Sequence, residues 1–301
     1  MPVIAPALSR AFIQGVKLPA APAAPRTRSR AALTDTPPLE LKSTEAQSLV
    51  VGSGLIAAAK DVPQQTREDL VNCTLFAQLA ATAAVADPER ISEWYAAYFK
   101  TLTAIGWAQS DTQFEEYDFK SKTAEAHKAI IKVLSVLLGP QAAALLVVQT
   151  VIEALQSMNE NSPWITLFDR QSKTGKSARF QVATAQIDPG GLLQVALVGF
   201  ELAVKATLTQ VLFVKYASNS THLKYAAGKA TIYEGALKDQ RDALAARLAA
   251  YRTAYVSQIP LPPLPSLPPP PSAGFRSVSR GAAAAPGEGL SPEKISRLLL
   301  E

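Results

Sequence analysis

The chain has 301 residues, 48% of them hydrophobic, with 30 Lys and Arg against 25 Asp and Glu, one Cys and two His. The single cysteine, Cys73, excludes an intramolecular disulfide, and His127 and His222 beside it are too few for a zinc site with four Cys/His ligands. Because no set of Ser, His and acidic residues suggests catalysis either, we expect a protein that is not an enzyme and needs no cofactor or metal.

The net charge of +5 comes from the N-terminal residues. Residues 1–34 carry five basic side chains and no acid, whereas residues 35–256 hold 21 basic and 22 acidic side chains. A nucleic-acid-binding fold needs a basic face on its packed domain. The near-neutral centre of the chain therefore argues against nucleic acid as a partner.

Proline divides the chain into three parts. Seventeen of the 22 prolines lie in the first 38 or last 42 residues, and proline disfavours both helices and central strands because it lacks the amide donor and fixes φ. We predict a disordered, basic, Pro/Ala-rich tail over residues 1–39 and one folded domain over residues 40–258. Residues 259–301 are predicted to be a Pro-rich linker with a short C-terminal amphipathic helix.

Two helical hairpins are predicted in the first half of the domain. Asp61-Val62-Pro63 is a helix-start signal that precedes apolar residues at helical spacing. Asp87-Pro88-Glu89 repeats the signal for a second helix, which ends at Gly106. A third and a fourth helix are predicted on either side of Gly139-Pro140.

Residues 133–152 carry no charge and are long enough for a membrane span. Gly139-Pro140 interrupts this window in its middle, so two packed amphipathic helices are favoured over a constitutive span. The first six residues lack the charged start and apolar run of a secretory signal. We therefore expect a soluble protein without a classical signal peptide, released or delivered by another route to act on a target-cell membrane.

Beyond Ser162-Pro163 the hydrophobic period changes from 3.6 to 2, which predicts strands. Asp188-Pro189-Gly190-Gly191 is a strong turn signal before a Val-, Leu- and Phe-rich stretch over residues 192–216. The predicted strands are 164–168, 180–187, 192–204, 206–216 and 223–233, and a final helix carries Leu237, Leu244, Leu248, Tyr251 and Tyr255.

A strand that is apolar on both faces must be covered on both faces, and the two helical hairpins are the available covers. The predicted fold class is therefore α/β. We expect a single-domain α/β/α sandwich, in which an antiparallel sheet is flanked by two helical hairpins, with disordered Pro-rich tails.

One family resemblance covers roughly residues 62–233. Val198-Gly199-Phe200-Glu201-Leu202 and Gln210-Val211-Leu212-Phe213, which follow the Gly190-Gly191 turn, resemble the strand pair of Cyt-type cytolytic δ-endotoxins of insecticidal bacteria. The likeness extends back to Lys132-Val133-Leu134 and to Ser162-Pro163-Trp164-Ile165. A fungal cytolysin and an acylated bacterial virulence factor share that family's architecture. The Pro-rich tails and the final helix depart from the family's pattern.

The resemblance implies a membrane-permeabilising toxin, either pore-forming or detergent-like. Such proteins are made as soluble protoxins, lose their ends to proteases and bind phospholipid without a protein receptor. Exposed basic residues at Arg26, Arg28 and Arg30 are candidate processing points. Nine to 11 tilted residues suffice for a strand to cross the hydrocarbon, and open sheet edges cannot persist in lipid. We therefore expect self-oligomers on a phospholipid membrane.

The candidate site residues lie in the 192–216 stretch. Glu201, Lys205 and Lys215 are an even number of residues apart, so in uninterrupted strands they share one face and could line a lumen. A buried sheet of any soluble α/β protein would also be rich in Val and Leu. The candidate membrane-inserting residues are Leu192, Val195, Leu197, Val198, Phe200, Leu202, Val204, Leu208, Val211, Leu212, Phe213 and Val214.

Several alternatives stay open. Cys73 lies in a helical apolar stripe, which favours a buried thiol over an acylation site. The terminal peptides are either propeptides or docking peptides for a carrier protein. The alternative function is a non-lytic, lipid- or acyl-binding virulence factor on the same fold, or a tethered interaction module. Thr174-Gly175-Lys176-Ser177 imitates a phosphate-binding loop, but a hairpin turn is favoured because the glycine-rich cradle is missing.

Overall fold

The computed structural model describes residues 6–22, 39–110, 112–119, 123–158, 161–205, 208, 210–213, 216–217 and 220–264. Within these ranges the helices are α1 Pro6–Gly15, α2 Gln64–Ala84, α3 Ile91–Ala104, α4 Ala126–Leu138, α5 Ala143–Ser157, α6 Pro163–Ser172, α7 Glu234–Lys238 and α8 Arg241–Tyr255. The strands are β1 Gln47–Val51, β2 Gly54–Ala58, β3 Trp107–Gln109, β4 Glu115–Glu116, β5 Thr123–Ala124, β6 Lys173–Thr174, β7 Ser177–Ile187, β8 Leu193–Val204, β9 Tyr216–Ala217, β10 Thr221–Ile232 and β11 Val256–Ile259.

One large sheet organises the chain, with strand order β11-β1-β2-β7-β8-β10-β3. β4 also pairs with β10, and β6 forms a short hairpin with β7 through the turn at Gly175. The long central strands β7, β8 and β10 are antiparallel neighbours. β5 and β9 pair separately as a two-stranded ribbon.

The sheet is mixed, so the prediction of an antiparallel sheet is wrong in one respect. β2 runs parallel to β7, with Gly54 opposite Gln181 and Ala58 opposite Ala185. The α2–α3 and α4–α5 hairpins lie in the chain between these two strands, which allows the long connection that a parallel pair requires. The prediction of a single-domain α/β fold is confirmed.

Helices cover both faces of the sheet. The first face, covered by α2, α3 and α8, holds a core that includes Leu70, Trp94 and Leu197. The second face, covered by α4, α5 and α6, holds a separate core that includes Val148, Phe180 and Phe200. The two cores follow from the period of two along each strand, which sends alternate side chains to opposite faces.

The segment predicted as a strand over residues 164–168 is helical, because it belongs to α6. Pro163 occupies the first turn of this helix, where its missing amide donor is no loss. Ile165 and Phe168 are three residues apart and both lie in the second core. A short apolar run of this kind fits a strand and a helix equally well.

Part of the predicted N-terminal tail packs on the domain. α1 places Ile13 in the first core with no exposed surface, and the helix contacts α8. Arg247 and Tyr251 of α8 donate hydrogen bonds to the carbonyl oxygens of Val16 and Pro19. The tail prediction for residues 1–39 therefore fails for residues 6–22, since an amphipathic helix buries its apolar side wherever a partner surface is available.

Candidate functional site

The predicted membrane-inserting residues of β8 lie on both faces of the sheet. Val195 and Leu197 are in the first core, whereas Val198, Phe200, Leu202 and Val204 are in the second core. All six are buried. In this state β8 is therefore the apolar centre of the protein rather than a surface element.

Residues 208 and 210–213, which belong to the predicted strand over residues 206–216, are not in a strand, so the prediction is wrong for these residues. Leu208, Val211 and Leu212 lie in a bent segment and are buried in the second core, and Phe213 is half-buried against it. Tyr216–Ala217 pairs with β5 instead of with β8. Apolar content drives this segment into the core, but burial does not require strand geometry.

Two ionisable side chains hold this bent segment in place. The carboxylate Oδ1 of Asp169 accepts the Val211 amide at 3.2 Å, and Nδ1 of His127 lies 3.0 Å from the Leu212 carbonyl oxygen. Burial raises the pKa of the Asp169 carboxyl above its usual range, opposed by the Val211 amide and by Lys173. The segment is thus tied to both α4 and α6.

The α2–α3 hairpin is anchored to the sheet by a tyrosine. The hydroxyl of Tyr95 on α3 lies 2.8 Å from the carbonyl oxygen of Phe180 and 2.7 Å from that of Phe200. It also accepts hydrogen bonds from the Phe200 amide at 3.1 Å and from Nε2 of Gln181 at 3.2 Å. Since Phe180 and Phe200 are register partners in β7 and β8, the hydroxyl reaches the backbone of both central strands.

A buried polar network extends this anchor to α2. Oε1 of Gln78 accepts the Ser53 amide at 3.0 Å, and Nε2 of Gln78 donates to the Val51 carbonyl at 2.9 Å. The Ser53 hydroxyl in turn lies 3.1 Å from Oε1 of Gln181. Separating this hairpin from the sheet would leave these buried groups without partners, at roughly 1–3 kcal/mol each.

Arg67 strengthens the same layer at the start of α2. Its guanidinium is buried and donates to the carbonyl oxygens of Val62 at 3.0 Å and Ala59 at 2.7 Å, and to Oε1 of Gln47 at 3.0 Å. These bonds join α2 to β1 and to the end of β2. The first helical layer is therefore held by directional polar contacts as well as by apolar burial.

The α4–α5 hairpin is attached differently. Its inner side chains, including Ile130, Val133 and Val148, are buried apolar groups of the second core. The direct polar tie to the sheet in the described residues is the Ala144 amide, which donates to Oε1 of Gln186 at 3.0 Å. Apolar burial is non-directional, so separating these apolar side chains from the sheet leaves no buried polar group without a hydrogen-bond partner. This hairpin is thus the less firmly anchored cover.

The structure describes two of the three candidate lumen residues, Glu201 and Lys205, and of these two Glu201 lies in a strand. Glu201 is half-buried between Arg179 of β7 and Lys224 of β10 in the sheet register. Lys205 is exposed just after β8, and Lys215 lies outside the described residues, as do Val214 and the candidate processing residues Arg26, Arg28 and Arg30. Glu201 is therefore part of a row of alternating charges across three strands. Such a row is compatible with a lumen-facing position and equally with a partly solvated sheet.

Cys73 lies inside α2 with no exposed surface. Burial raises the pKa of its thiol far above the usual range. The thiol is therefore protonated, which makes it a weak nucleophile, and it is out of reach of an acyl donor in this state.

Two further properties bear on membrane and metal chemistry. None of the helices within the described ranges combines the length and the hydropathy that a membrane span needs. In the same part of the chain, His, Cys, Asp and Glu side chains do not gather in groups that could hold a metal ion.

Solved structures that resemble this chain distantly include a delta-endotoxin and a virulence factor. A delta-endotoxin is 13% identical with a TM-score of 0.33, and the match covers 71% of this chain and 92% of that protein. The Evf virulence factor is 9% identical with a TM-score of 0.34, over 70% and 87% of the two chains. No protein-family model and no curated protein matches the sequence. TM-scores this low carry no argument about activity, so the proposals below rest on the geometry.

Proposed function

We propose that this protein binds phospholipid membranes and permeabilises them, without catalysis or a cofactor, by releasing the α4–α5 hairpin from the second face of its sheet. The observation that carries the proposal is the difference between the two helical layers. Buried hydrogen bonds from Tyr95, Gln78 and Arg67 anchor the α2–α3 hairpin. Apolar contacts dominate the attachment of the α4–α5 hairpin.

In water, the hydrophobic effect keeps the α4–α5 hairpin packed on the sheet, and a bilayer weakens this effect. In water, burying one Val, Leu or Phe side chain contributes about 1.5–3 kcal/mol. Lipid acyl chains give the same side chains another apolar environment. The free-energy difference between the bound and the released hairpin is therefore smaller at a membrane than in water. Lipid acyl chains cannot replace the hydrogen-bond partners that the α2–α3 layer has on the sheet. Because of this, that layer remains on the sheet.

Release would uncover a sheet face that suits lipid. Its described side chains include Phe180, Val198, Phe200 and Leu202, all buried and apolar. β7 has 11 residues, and β8 and β10 have 12 each, which is long enough to cross the hydrocarbon when tilted. Open sheet edges are costly in lipid, so a barrel would need several chains, whereas interfacial hairpins would disrupt lipid without one.

The test is dye release from phosphatidylcholine and phosphatidylglycerol vesicles, with the protein added before and after limited trypsin treatment. We expect release after treatment, because trimming of the ends is what the protoxin hypothesis requires. Sedimentation of the vesicles shows whether the protein is bound. Binding without release would support the non-lytic lipid-binding alternative, and protein that stays in the supernatant without dye release would overturn the proposal.

A further inference from the structure

We propose that the protein docks on lipid with one end of its sheet foremost, through the tip of the β7–β8 hairpin. Four large apolar or aromatic side chains are exposed among the described residues, namely Leu8, Leu192, Leu193 and Tyr233. Leu192 and Leu193 belong to the hairpin tip, residues 188–193. This inference rests on the proposed function and adds the orientation of the protein at the membrane.

The third exposed side chain lies at the same end of the sheet. Ala230 of β10 pairs with Val195 of β8. This is the last pair of the two antiparallel strands, so Tyr233, which follows β10, lies at the same end of the sheet as Leu192, which precedes β8. Leu192 is 69% exposed and Tyr233 is 42% exposed. Tyrosine is enriched at membrane interfaces because its ring is apolar and its hydroxyl stays hydrated. We call Leu192, Leu193 and Tyr233 the apolar rim.

Hydrogen bonds within the hairpin tip close its turn. Oδ1 of Asp188 accepts the amides of Gly190 at 2.8 Å and Leu192 at 2.9 Å, and the Asp188 amide donates to the Leu192 carbonyl at 2.8 Å. Gly191 has a φ of +80°, which glycine adopts without strain. Asp188 is the ionisable residue of the tip, and its hydrogen bonds face the backbone, so the leucines are presented without a flexible loop.

The apolar rim lies next to the turn of the α4–α5 hairpin. Gln186, two residues before the tip, accepts the Ala144 amide at the start of α5 and donates to Oε1 of Gln194 on β8. The adjoining turn, residues 137–142, is uncharged and half-exposed to exposed. Docking through the rim would therefore bring the less firmly anchored hairpin to the lipid first.

A lipid surface fits this rim better than a protein partner. Stable protein interfaces bury roughly 1,200–2,000 Å², and the two leucines and one tyrosine of the apolar rim offer only a fraction of that area. A bilayer needs no matching groove, because apolar side chains enter the boundary between headgroups and acyl chains. Lys60 and Asp61, both exposed at the neighbouring end of β2, carry opposite charges, so the apolar side chains rather than a net charge carry the docking.

The experiment attaches an environment-sensitive dye to one end of the hairpin or the other. Leu192→Cys labels the rim, and Lys176→Cys labels the exposed turn at the opposite end of β7; the buried Cys73 thiol does not compete. Both proteins are mixed with the same vesicles before and after limited trypsin treatment. We expect severalfold brighter emission from the dye at position 192 and an unchanged signal from position 176.

A second variant tests the energetic role of the tip. Leu192→Ser with Leu193→Ser should weaken vesicle sedimentation at least about tenfold, because burying part of one leucine is worth about that factor. Unchanged binding, or an equal dye response at both ends, would overturn the proposal while leaving the proposed function intact. Lost self-association in solution with intact vesicle binding would identify the rim as a contact between copies of the chain and would also overturn it. If the parent protein neither sediments with vesicles nor releases dye, the proposed function itself is refuted.

Discussion

The ring of Tyr95 packs directly against the bare backbone of Gly199. A Cβ atom built on Gly199 would lie 2.8 Å from Cε1 of Tyr95 and 3.4 Å from Cζ of Phe114. The missing side chain lets the ring come close enough for its hydroxyl to reach the backbone of Phe200 in the same strand. One glycine and one tyrosine thus fix the distance between α3 and the sheet.

Gly199→Ala is expected to destabilise the protein by about 1–3 kcal/mol, the usual range for overpacking in a filled core. The tyrosine ring would have to move, and its hydrogen bonds to β7 and β8 would lengthen. Urea unfolding measures the effect. Gly235→Ala is the control, because nothing lies within 4 Å of a Cβ there. Equal stability of the two variants would show that the close approach is unimportant.

Tyr95→Phe should lower the free energy of unfolding by about 1–3 kcal/mol, because backbone groups of Phe200 and the amide of Gln181 lose a buried partner. Tyr98→Phe is the matched control. The hydroxyl of Tyr98 is also buried but has no hydrogen-bond partner among the described residues. Its removal is expected to be neutral or stabilising. Chemical denaturation at one pH compares both variants with the parent, and similar losses in the two would contradict the anchoring role.

The helices of the two hairpins and the central strands β7, β8 and β10 were predictable because each carries its own local signal. Asp87-Pro88-Glu89 marks the start of α3, and Asp188-Pro189-Gly190-Gly191 marks the turn between β7 and β8. β1 and β2 were missed although Leu49-Val50-Val51 and Leu55-Ile56 flank a Gly-Ser-Gly turn, where Gly52 has a φ of +56°. Short strands of five residues give a weak periodic signal, and the parallel pairing of β2 with β7 depends on distant residues.

The site was less predictable than the fold. Hydropathy identified Leu208, Val211 and Leu212 as buried apolar residues, but it did not reveal that Asp169 and His127 bend this segment back onto the core. Hydropathy also did not indicate that the two helical hairpins are attached to the sheet in different ways. Both hairpins are amphipathic, and the polar anchors of one depend on contacts between residues far apart in sequence, such as Tyr95 with Phe200.

Cys73 should resist a small maleimide in the native protein and react fully in guanidinium. The thiol lies within α2 and is buried in the first core, and burial raises its pKa, which keeps it protonated at neutral pH. Mass spectrometry counts the adduct directly, because this is the single cysteine of the chain. Rapid labelling of the folded protein would refute a tightly closed first layer, and an acyl mass on the purified protein would show that acylation precedes folding.

Asp169 should make stability depend on pH. Its folded-state pKa is raised by burial, so between the unfolded value of about 4 and the folded value the native state binds more protons. Stability is therefore expected to fall as pH rises through that window. Asp169→Asn keeps an oxygen that accepts the Val211 amide but does not ionise, so its loss of stability from pH about 4 to about 7 should be smaller.

Urea unfolding at the two pH values measures the Asp169 effect. Glu153→Gln removes one negative charge from an exposed position of α5 and serves as the control. If Asp169→Asn shows the same pH dependence as the parent and this control, desolvation of Asp169 has no energetic consequence for folding.

Release of the α4–α5 hairpin at a membrane can be followed with Val198→Cys, which places a thiol on the second face of the sheet. Val198 is fully buried in the second core, and Cys73 of α2 is fully buried in the first core. In solution we expect neither thiol to react with a membrane-permeant maleimide. After trypsin treatment and addition of vesicles, the thiol at position 198 should be labelled while Cys73 stays protected, because Tyr95, Gln78 and Arg67 hold the first layer.

Cys73 is the internal control in that experiment, since both thiols meet the same reagent in the same molecule. Tyr95→Phe in the Val198→Cys background should increase labelling of Cys73, because it removes a tie of the first layer rather than of the second. Labelling of both thiols in the parent would mean that the whole fold opens on lipid. Protection of both, in a sample that releases dye, would mean that permeabilisation proceeds with the α4–α5 hairpin still seated on the sheet.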